Sequence, residues 1–378
     1  MKLGDITELI TKGTTPTTLG FSFQQEGINF IKVESISDDG DFIHEKLDHI
    51  SFKCDEKLAR SRLQENDILF SIAGALGRSA IVKRDLLPAN TNQALAIIRL
   101  KRKNILPRYI QLSLKSNVVV QQFQRQKQGV AQLNLSLRNI GDLMIPLPSL
   151  ETQKQIAKIL DTAAELLAMR KQQLAELDNL IKSTFYDMFG DPVSNEKGWE
   201  PKKLIDITIK IGSGATPRGG KESYKHEGIS LIRSMNVHNG VFSYEQLAYL
   251  DDKQAKQLDN VTVEENDVLI NITGASVARS CIVPHDVLPA RVNQHVSIIR
   301  LKKEKAIPEY INNVLTSSTF QTHLLSIGGA GGATREAITK QQLQNLVVPL
   351  PPLALQTQFA EIVTRIEEQK ALVQKAVD

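Results

Sequence analysis

The second half of the chain repeats the first at a nearly constant offset, and this restricts its architecture more than any other feature. Gly13-Thr14-Thr15-Pro16 returns as Gly214-Ala215-Thr216-Pro217, 201 residues on, and Gly27 returns as Gly228 at the same distance. Leu87-Pro88-Ala89-Asn90-Thr91-Asn92-Gln93 returns as Leu288-Pro289-Ala290-Arg291-Val292-Asn293-Gln294, and Ile98-Arg99-Leu100-Lys101 as Ile299-Arg300-Leu301-Lys302. A repeat this long is a duplicated domain, not a solenoid unit of roughly 20 to 50 residues. Two like domains in one chain would be arranged as the subunits of a dimer are, yet each is free to diverge. Such a chain suits the reading of two different things at a fixed separation.

The 378 residues suffice for two domains of ordinary size and their connectors. With 41% apolar and 23% charged residues the chain is globular rather than disordered. No apolar run approaches a membrane span, and Met1-Lys2-Leu3-Gly4-Asp5 does not open a signal peptide. Cys54 and Cys281 form neither a CxxC pair nor a disulfide framework, which fits a reducing cytoplasm. A net charge of +4 and a pI near 8.8 are mildly basic and decide little about nucleic acid.

The repeat units span residues 1 to about 145 and about 198 to 348. Asp67–Ile72 and Asp267–Ile272 read as strands opened by an acidic turn, and Ala94–Leu100 and Val296–Leu301 as further strands. Pro107 and Pro308 each open a helical stretch, since proline suits the first turn. Each domain is therefore expected to be α/β or α+β.

After the proline-bounded edges Ile145-Pro146-Leu147-Pro148 and Val348-Pro349-Leu350-Pro351-Pro352 the chain changes character. From Leu150 to about Asp187 there is no glycine or proline. One track runs Leu160, Leu167, Leu174, Ile181 and a second Ile156, Ala163, Arg170, Leu177, a heptad seam. Such a helix spans roughly 55 Å at 1.5 Å per residue. The second copy repeats it with Val363, Lys370, Val377 and Phe359, Ile366, Val373. The narrow seams predict that the two helices pack on each other as an antiparallel coiled coil, with Arg170 and Lys370 at solvated ends or in a register-setting polar layer. The expected division is 1–149 and 191–352 for the two globular domains, 150–190 for the central helix and 353–378 for the C-terminal one. Asp378 matches Ala175 of the first copy, so the second helix is either shorter by nature or cut.

No catalytic constellation holds. There is no GxxxxGK[ST], no dinucleotide fingerprint, no HExxH and no paired Cys/His spacing for a metal, and Gly328-Gly329-Ala330-Gly331-Gly332 reads as a loop. None of the seven histidines recurs in both copies, as a duplicated active site would require. No Asn-Pro-Pro-aromatic tetrapeptide of an adenine methyltransferase is present.

Binding chemistry is better represented. In the shared loops lie Lys12, Thr14, Thr15, Lys32, Ser35, Arg78, Asn90, Asn92 and Gln93 of the first copy. The second contributes Ser213, Thr216, Arg218, Lys221, Arg233, Asn236, Arg279, Arg291, Asn293 and Gln294. Arg, Lys, Asn and Gln suit base edges in the major groove, while Ser, Thr, Lys and exposed amides suit phosphate oxygens. Residues common to both copies, such as Gly13, Thr15, Asn92 and Gln93, can simply hold the fold. Positions where the copies differ are the better specificity candidates: Asn90 against Arg291, and Lys32-Val33-Glu34-Ser35 against Arg233-Ser234-Met235-Asn236.

The whole layout resembles the specificity subunit of a type I restriction–modification system. The resemblance rests on Leu3, Asp5, Ile6 with Gly13, Thr15, Pro16, repeated at Leu204, Asp206, Ile207 with Gly214, Thr216, Pro217. It rests also on Ile-Pro-Leu-Pro-Ser-Leu-Glu-Thr-Gln at 145–153, its partner at 348–356, and Met188-Phe189-Gly190-Asp191-Pro192. It implies two non-catalytic target-recognition domains, each reading half of a split double-stranded DNA site, and helices that act as a ruler and dock two adenine methyltransferase subunits. S-adenosylmethionine would come with those partners, and ATP and magnesium with translocating nuclease subunits. On the ruler reading, one heptad inserted within 156–181 changes the tolerated spacer and neither half-site. The residues alone leave open a two-domain protein-binding scaffold, or an enzyme with an unfamiliar site.

Overall fold

A computed structural model describes residues 1–101, 104–124, 134–217, 219–329 and 337–377. It divides into two compact units, Met1–Leu166 and Leu167–Asp378.

The strands of the first unit are β1 (Thr7–Lys12), β2 (Ile28–Ile31), β3 (Asp48–Ile50), β4 (Ile68–Ser71), β5 (Ser79–Ile81), β6 (Ala89–Thr91) and β7 (Leu95–Leu100). An antiparallel sheet runs β1-β7-β4-β5 and a smaller mixed sheet β3-β2-β6, with β2 and β6 parallel. Alternation along a strand sends successive side chains to opposite faces. Ile68, Phe70, Ala96 and Ile98 pack in one cluster with Tyr109, Ile110 and Leu114 of the helix Pro107–Lys115. Leu69, Leu95 and Ile97 pack in another with Ile31 and Ala89 of the smaller sheet. Burial on both faces is why these strands are continuous apolar runs.

The second unit holds β8 (Glu200–Lys203), β9 (Thr208–Ser213), β10 (Ile229–Ile232), β11 (Ala248–Leu250), β12 (Thr262–Val263), β13 (Val268–Asn271), β14 (Ser280–Ile282), β15 (Ala290–Val292), β16 (Val296–Leu301) and β17 (Val347–Leu350). Its sheets run β9-β16-β13-β14 and β11-β10-β15-β12, repeating the first unit's order, and β8 pairs with β17.

The repeated motifs have local physical causes. A Cβ on Gly13 would sit 1.7 Å from the Thr91 carbonyl oxygen, and one on Gly214 equally close to that of Val292, so only glycine admits this approach. The acidic openers are buried carboxylates: Asp67 accepts from Arg99 Nε and Nη2 at 2.8 and 2.7 Å, and Asp267 from Arg300 at 2.8 and 2.9 Å. Gln153 and Gln356, the last residues of the two proline-rich stretches, are buried clamps. Gln153 Oε1 accepts from Leu106 N and its Nε2 donates to Pro148 O. Gln356 repeats this with Ile307 N and Pro351 O.

The long helix is Leu150–Phe189 and the C-terminal helix Leu353–Gln374. Within the second unit they run antiparallel. Asp178 meets Lys370 at 2.7 Å, and farther on Phe185 meets Phe359 with ring centroids 5.7 Å apart. Phe189 and Tyr310, 4.8 Å apart, close this aromatic cluster. Ile181, Phe359, Ile366 and Val373 are buried, and Leu174, Leu177, Val363 and Val377 half-buried. Lys370 is the polar layer of this seam: Asp178 and Glu367 both hold it. Arg170 is half-exposed and, among the described residues, donates only to Gln173 at 2.9 Å.

The expected seam is corrected along the first part of the long helix. Leu160 and Leu167 are 46% and 40% exposed and Ala163 is exposed, while Ile156 packs against the core of the first unit. The reason is length: at about 1.5 Å per residue, a helix of 22 residues cannot flank one of 40.

Candidate nucleic-acid interface

Strand register gathers the polar loops of each unit at one end of its main sheet. In the second unit Ser213, ending β9, lies opposite Ser297, and Asn271, ending β13, opposite Val296. Ser280, opening β14, lies opposite Ile270. The segments 214–217, 272–279 and 293–295 therefore leave the sheet at the same end. The parallel pairing of Ile232 with Val292 brings the turn at 233–238 to them, and Asn293 N donates to Ile232 O at 3.0 Å. The first unit repeats this with Lys12 opposite Ala96, Ser71 opposite Leu95, and Ile31 beside Thr91.

On the first rim Lys12 is exposed and makes no ion pair among the described residues, and Thr14 is half-buried. Thr15 Oγ1 donates to Oε1 of the exposed Gln93, and Asn92 Oδ1 accepts from Ala94 N at 3.0 Å. Lys32 pairs with Asp48 and lies 4.2 Å from the ring centre of Phe23, while Arg78 Nε donates to Asp38 at 2.7 Å. Ser35 is buried and donates to Lys46 O.

On the second rim Ser213 and Thr216 are exposed, and Thr216 Oγ1 donates to Gln294 Oε1. Asn293 Oδ1 accepts from His295 N at 3.0 Å. Arg233 lies over the Tyr224 ring at 5.4 Å and donates to Gln246 O, and Arg279 Nη1 meets His238 Nδ1 at 3.4 Å. Asn236 is buried and donates to Ser243 O and Glu245 O. Arg218 lies outside the described residues, and the backbone of Lys221 belongs to the turn Gly220–Ser223.

Asn90 and Arg291 do not reach either rim. Asn90 is fully buried and bonds to Asp55, Leu58 O, Ser61 and Thr91 N. Arg291 is 8% exposed and donates to Ala255 O, Ala290 O and Asp259. With their polar atoms engaged inside the fold, neither is offered to a base edge. Ser35 and Asn236 tie down the turns that carry Lys32 and Arg233.

The two rims differ electrostatically. The first copy's Lys32 and Arg78 are paired with carboxylates, whereas Arg233 and Arg279 meet no carboxylate among the described residues. Ala248 stands where the first copy has Asp48, and Asn239 and Val241 replace the stretch containing Asp38, Asp39 and Asp41. Positive charge is thus left open on the second rim. Burial pushes the Cys281 thiol up to about 12 and raises that of Cys54, so neither thiol is poised for nucleophilic chemistry.

His295 and Thr273 also stand on the second rim, and sequence reasoning passed over both. Gln294 Nε2 contacts His295 Nε2 at 3.0 Å, and His295 Nδ1 contacts Thr273 Oγ1. The first copy has Ala94 and Ala73 at these positions. That difference was the available signal; the search for duplicated histidines hid it.

A family model described as the type I restriction modification DNA specificity domain matches residues 1–179 and again 196–376. A putative type I restriction enzyme MjaX specificity subunit of Methanocaldococcus jannaschii is 27% identical, over all of this chain and 86% of that one. The EcoBI specificity subunit of Escherichia coli is 30% identical, over 53% of this chain and 44% of that one. Among solved structures, one from a study of the assembly and conformational transition of a type I restriction–modification system superposes with a TM-score of 0.64 at 19% identity, covering all of this chain and 92% of that one. The S subunit of the system from M. genitalium gives 0.58 at 12% identity, covering all of this chain and 91% of that one. At such identities these two likenesses speak for the fold.

Proposed function

The chain belongs to the type I restriction–modification DNA specificity family, carrying its domain twice, and from that premise we propose that each copy reads one half of a split, asymmetric DNA site. The observation that carries this reading is the pair of rims. The same sheet ends present different side chains, as two readers of unlike half-sites require. Arg233 and Arg279 are suited to phosphates, and the exposed Gln93 and Gln294 to base edges.

A short half-site supplies few contacts, at roughly 1–3 kcal/mol of discrimination per base pair. Joining two readers in one chain makes the second binding event nearly intramolecular, which raises avidity without a new contact. In this reading the chain is non-catalytic and works in the cytoplasm. Adenine methyltransferase subunits dock on its helices, and restriction subunits can join them. S-adenosylmethionine, ATP and magnesium belong to those partners. One face of the long helix, bearing Gln155, Lys158, Ile159, Thr162, Ala163 and Leu166, leaves Ile159 and Leu166 exposed and supports docking there. Exposed apolar surface of this kind is what a partner helix covers. No helix among the described residues is long and apolar enough to cross a membrane.

The test is equilibrium binding of the chain, assembled with methyltransferase subunits, to duplex DNA over a salt series. Binding that weakens linearly on logarithmic axes as salt rises supports the reading. Salt-insensitive binding, or none, would favour a protein-binding scaffold.

A further inference from the structure

The hydrogen-bond chain on the second rim has an asymmetry with chemical meaning. Thr216, Gln294, His295 and Thr273 are linked in series. The ring nitrogen Nε2 of His295 meets the Gln294 amide at 3.0 Å, and its Nδ1 meets Thr273 Oγ1. Gln294 is thereby held at both ends of its amide, by Thr216 and by His295. Its amide keeps one N–H and one oxygen lone pair unused among the described residues. A side-by-side donor and acceptor match the N7 and N6 amino group of adenine in the major groove.

Among the described residues, Gln93 of the first copy has only Thr15 at its amide. Thr15 holds one end of that amide, and its nitrogen makes no hydrogen bond among the described residues. Ala94 and Ala73 bring no side-chain polar atom to it. The backbone at the two sites is the same, because Ile72 N donates to Ala94 O and Ile272 N to His295 O, both at 2.9 Å.

We propose that His295, braced by Thr273, holds Gln294 in place to read an adenine in the half-site of the second copy, whereas Gln93 is held by Thr15 alone among the described residues. Gln294 is the specificity residue; His295 and Thr273 are positioning residues. The inference rests on the DNA-reading proposal above.

The experiment selects duplexes from a randomised pool with the full chain assembled with methyltransferase subunits. The wild type is compared with Thr273→Ala/His295→Ala, which installs the side chains of the first copy. The wild type is expected to enrich adenine at one position of one half-site. The variant should lose that preference about tenfold or more, with the other half-site and the spacer unchanged. Gln294→Ala should relax the same position. The reciprocal Ala73→Thr/Ala94→His variant should sharpen one position of the other half-site, and it decides the matter if the first variant does not assemble. An unchanged motif in the variants would overturn this inference alone. A wild-type complex that enriches no motif would overturn the DNA-reading proposal and this inference with it.

Discussion

Asn90→Ala separates holding the fold from reading DNA at two positions three residues apart. Asn90 Nδ2 donates to Asp55 Oδ1 at 3.1 Å and Leu58 O at 3.2 Å, and its Oδ1 accepts from Ser61 Oγ at 2.7 Å and Thr91 N at 3.0 Å. After truncation Ser61 Oγ still reaches Leu58 O, and Asp55 still pairs with Arg62. The loss falls mainly on Thr91 N and one Asp55 oxygen. At about 1–3 kcal/mol for each buried group left short of a partner, the expected cost is about 3 kcal/mol. For a unit of 166 residues that lowers the melting temperature by about 10 °C. Gln93→Ala removes an exposed amide and should change stability by less than about 0.5 kcal/mol. Calorimetry of both variants, with duplex selection by the assembled complexes, checks the pair. Asn90→Ala should melt early and select the wild-type motif. An Asn90→Ala chain with wild-type melting and an altered motif would refute the assignment.

Other outcomes follow from the same structure. Gly13→Ala and Gly214→Ala drive a Cβ into backbone carbonyls and should each cost more than about 3 kcal/mol, measured as lost soluble yield or early melting. At Lys370 burial pulls the ammonium pKa down, but the hydrogen bonds it donates to Asp178 and Glu367 outweigh this and set it above the ordinary lysine value. The stabilisation it gives is therefore complete below the unfolded value of about 10.4 and lost as pH rises through the folded one. Lys370→Ala should cost about 0.5–1 kcal/mol at neutral pH, and the difference from wild type should shrink above about pH 10.5 in denaturant titrations. Arg233→Gln/Arg279→Gln should lower the logarithmic salt slope of DNA binding by about 1.8, while Lys32→Gln/Arg78→Gln should change it less, because Asp48 and Asp38 already neutralise those cations.

Much of the frame was legible because local rules and global fold agree. Asp67 and Asp267 signalled strand openings and prove to be carboxylates holding Arg99 and Arg300. Pro107 and Pro308 open their helices as placed. The heptad pattern fixed the face of the long helix but not the reach of its partner, which is a matter of length. Divergence between copies misled at Asn90 and Arg291, because a core position can diverge when its partners diverge too. Asn90 bonds with Asp55 and Ser61, whereas Arg291 pairs with Asp259, which stands where the first copy has Ala59. Compensated change in a core and functional change on a surface look alike in one sequence. His295 was passed over for the converse reason: a residue that positions the reader of one half-site has no cause to recur in the other copy.

The account stands most directly on the adenine methylome of a methylation-free host that expresses this chain with its methyltransferase subunit. It predicts one split, asymmetric motif with a fixed spacer, methylated on adenine. A complex that assembles and yet leaves no such motif would contradict it.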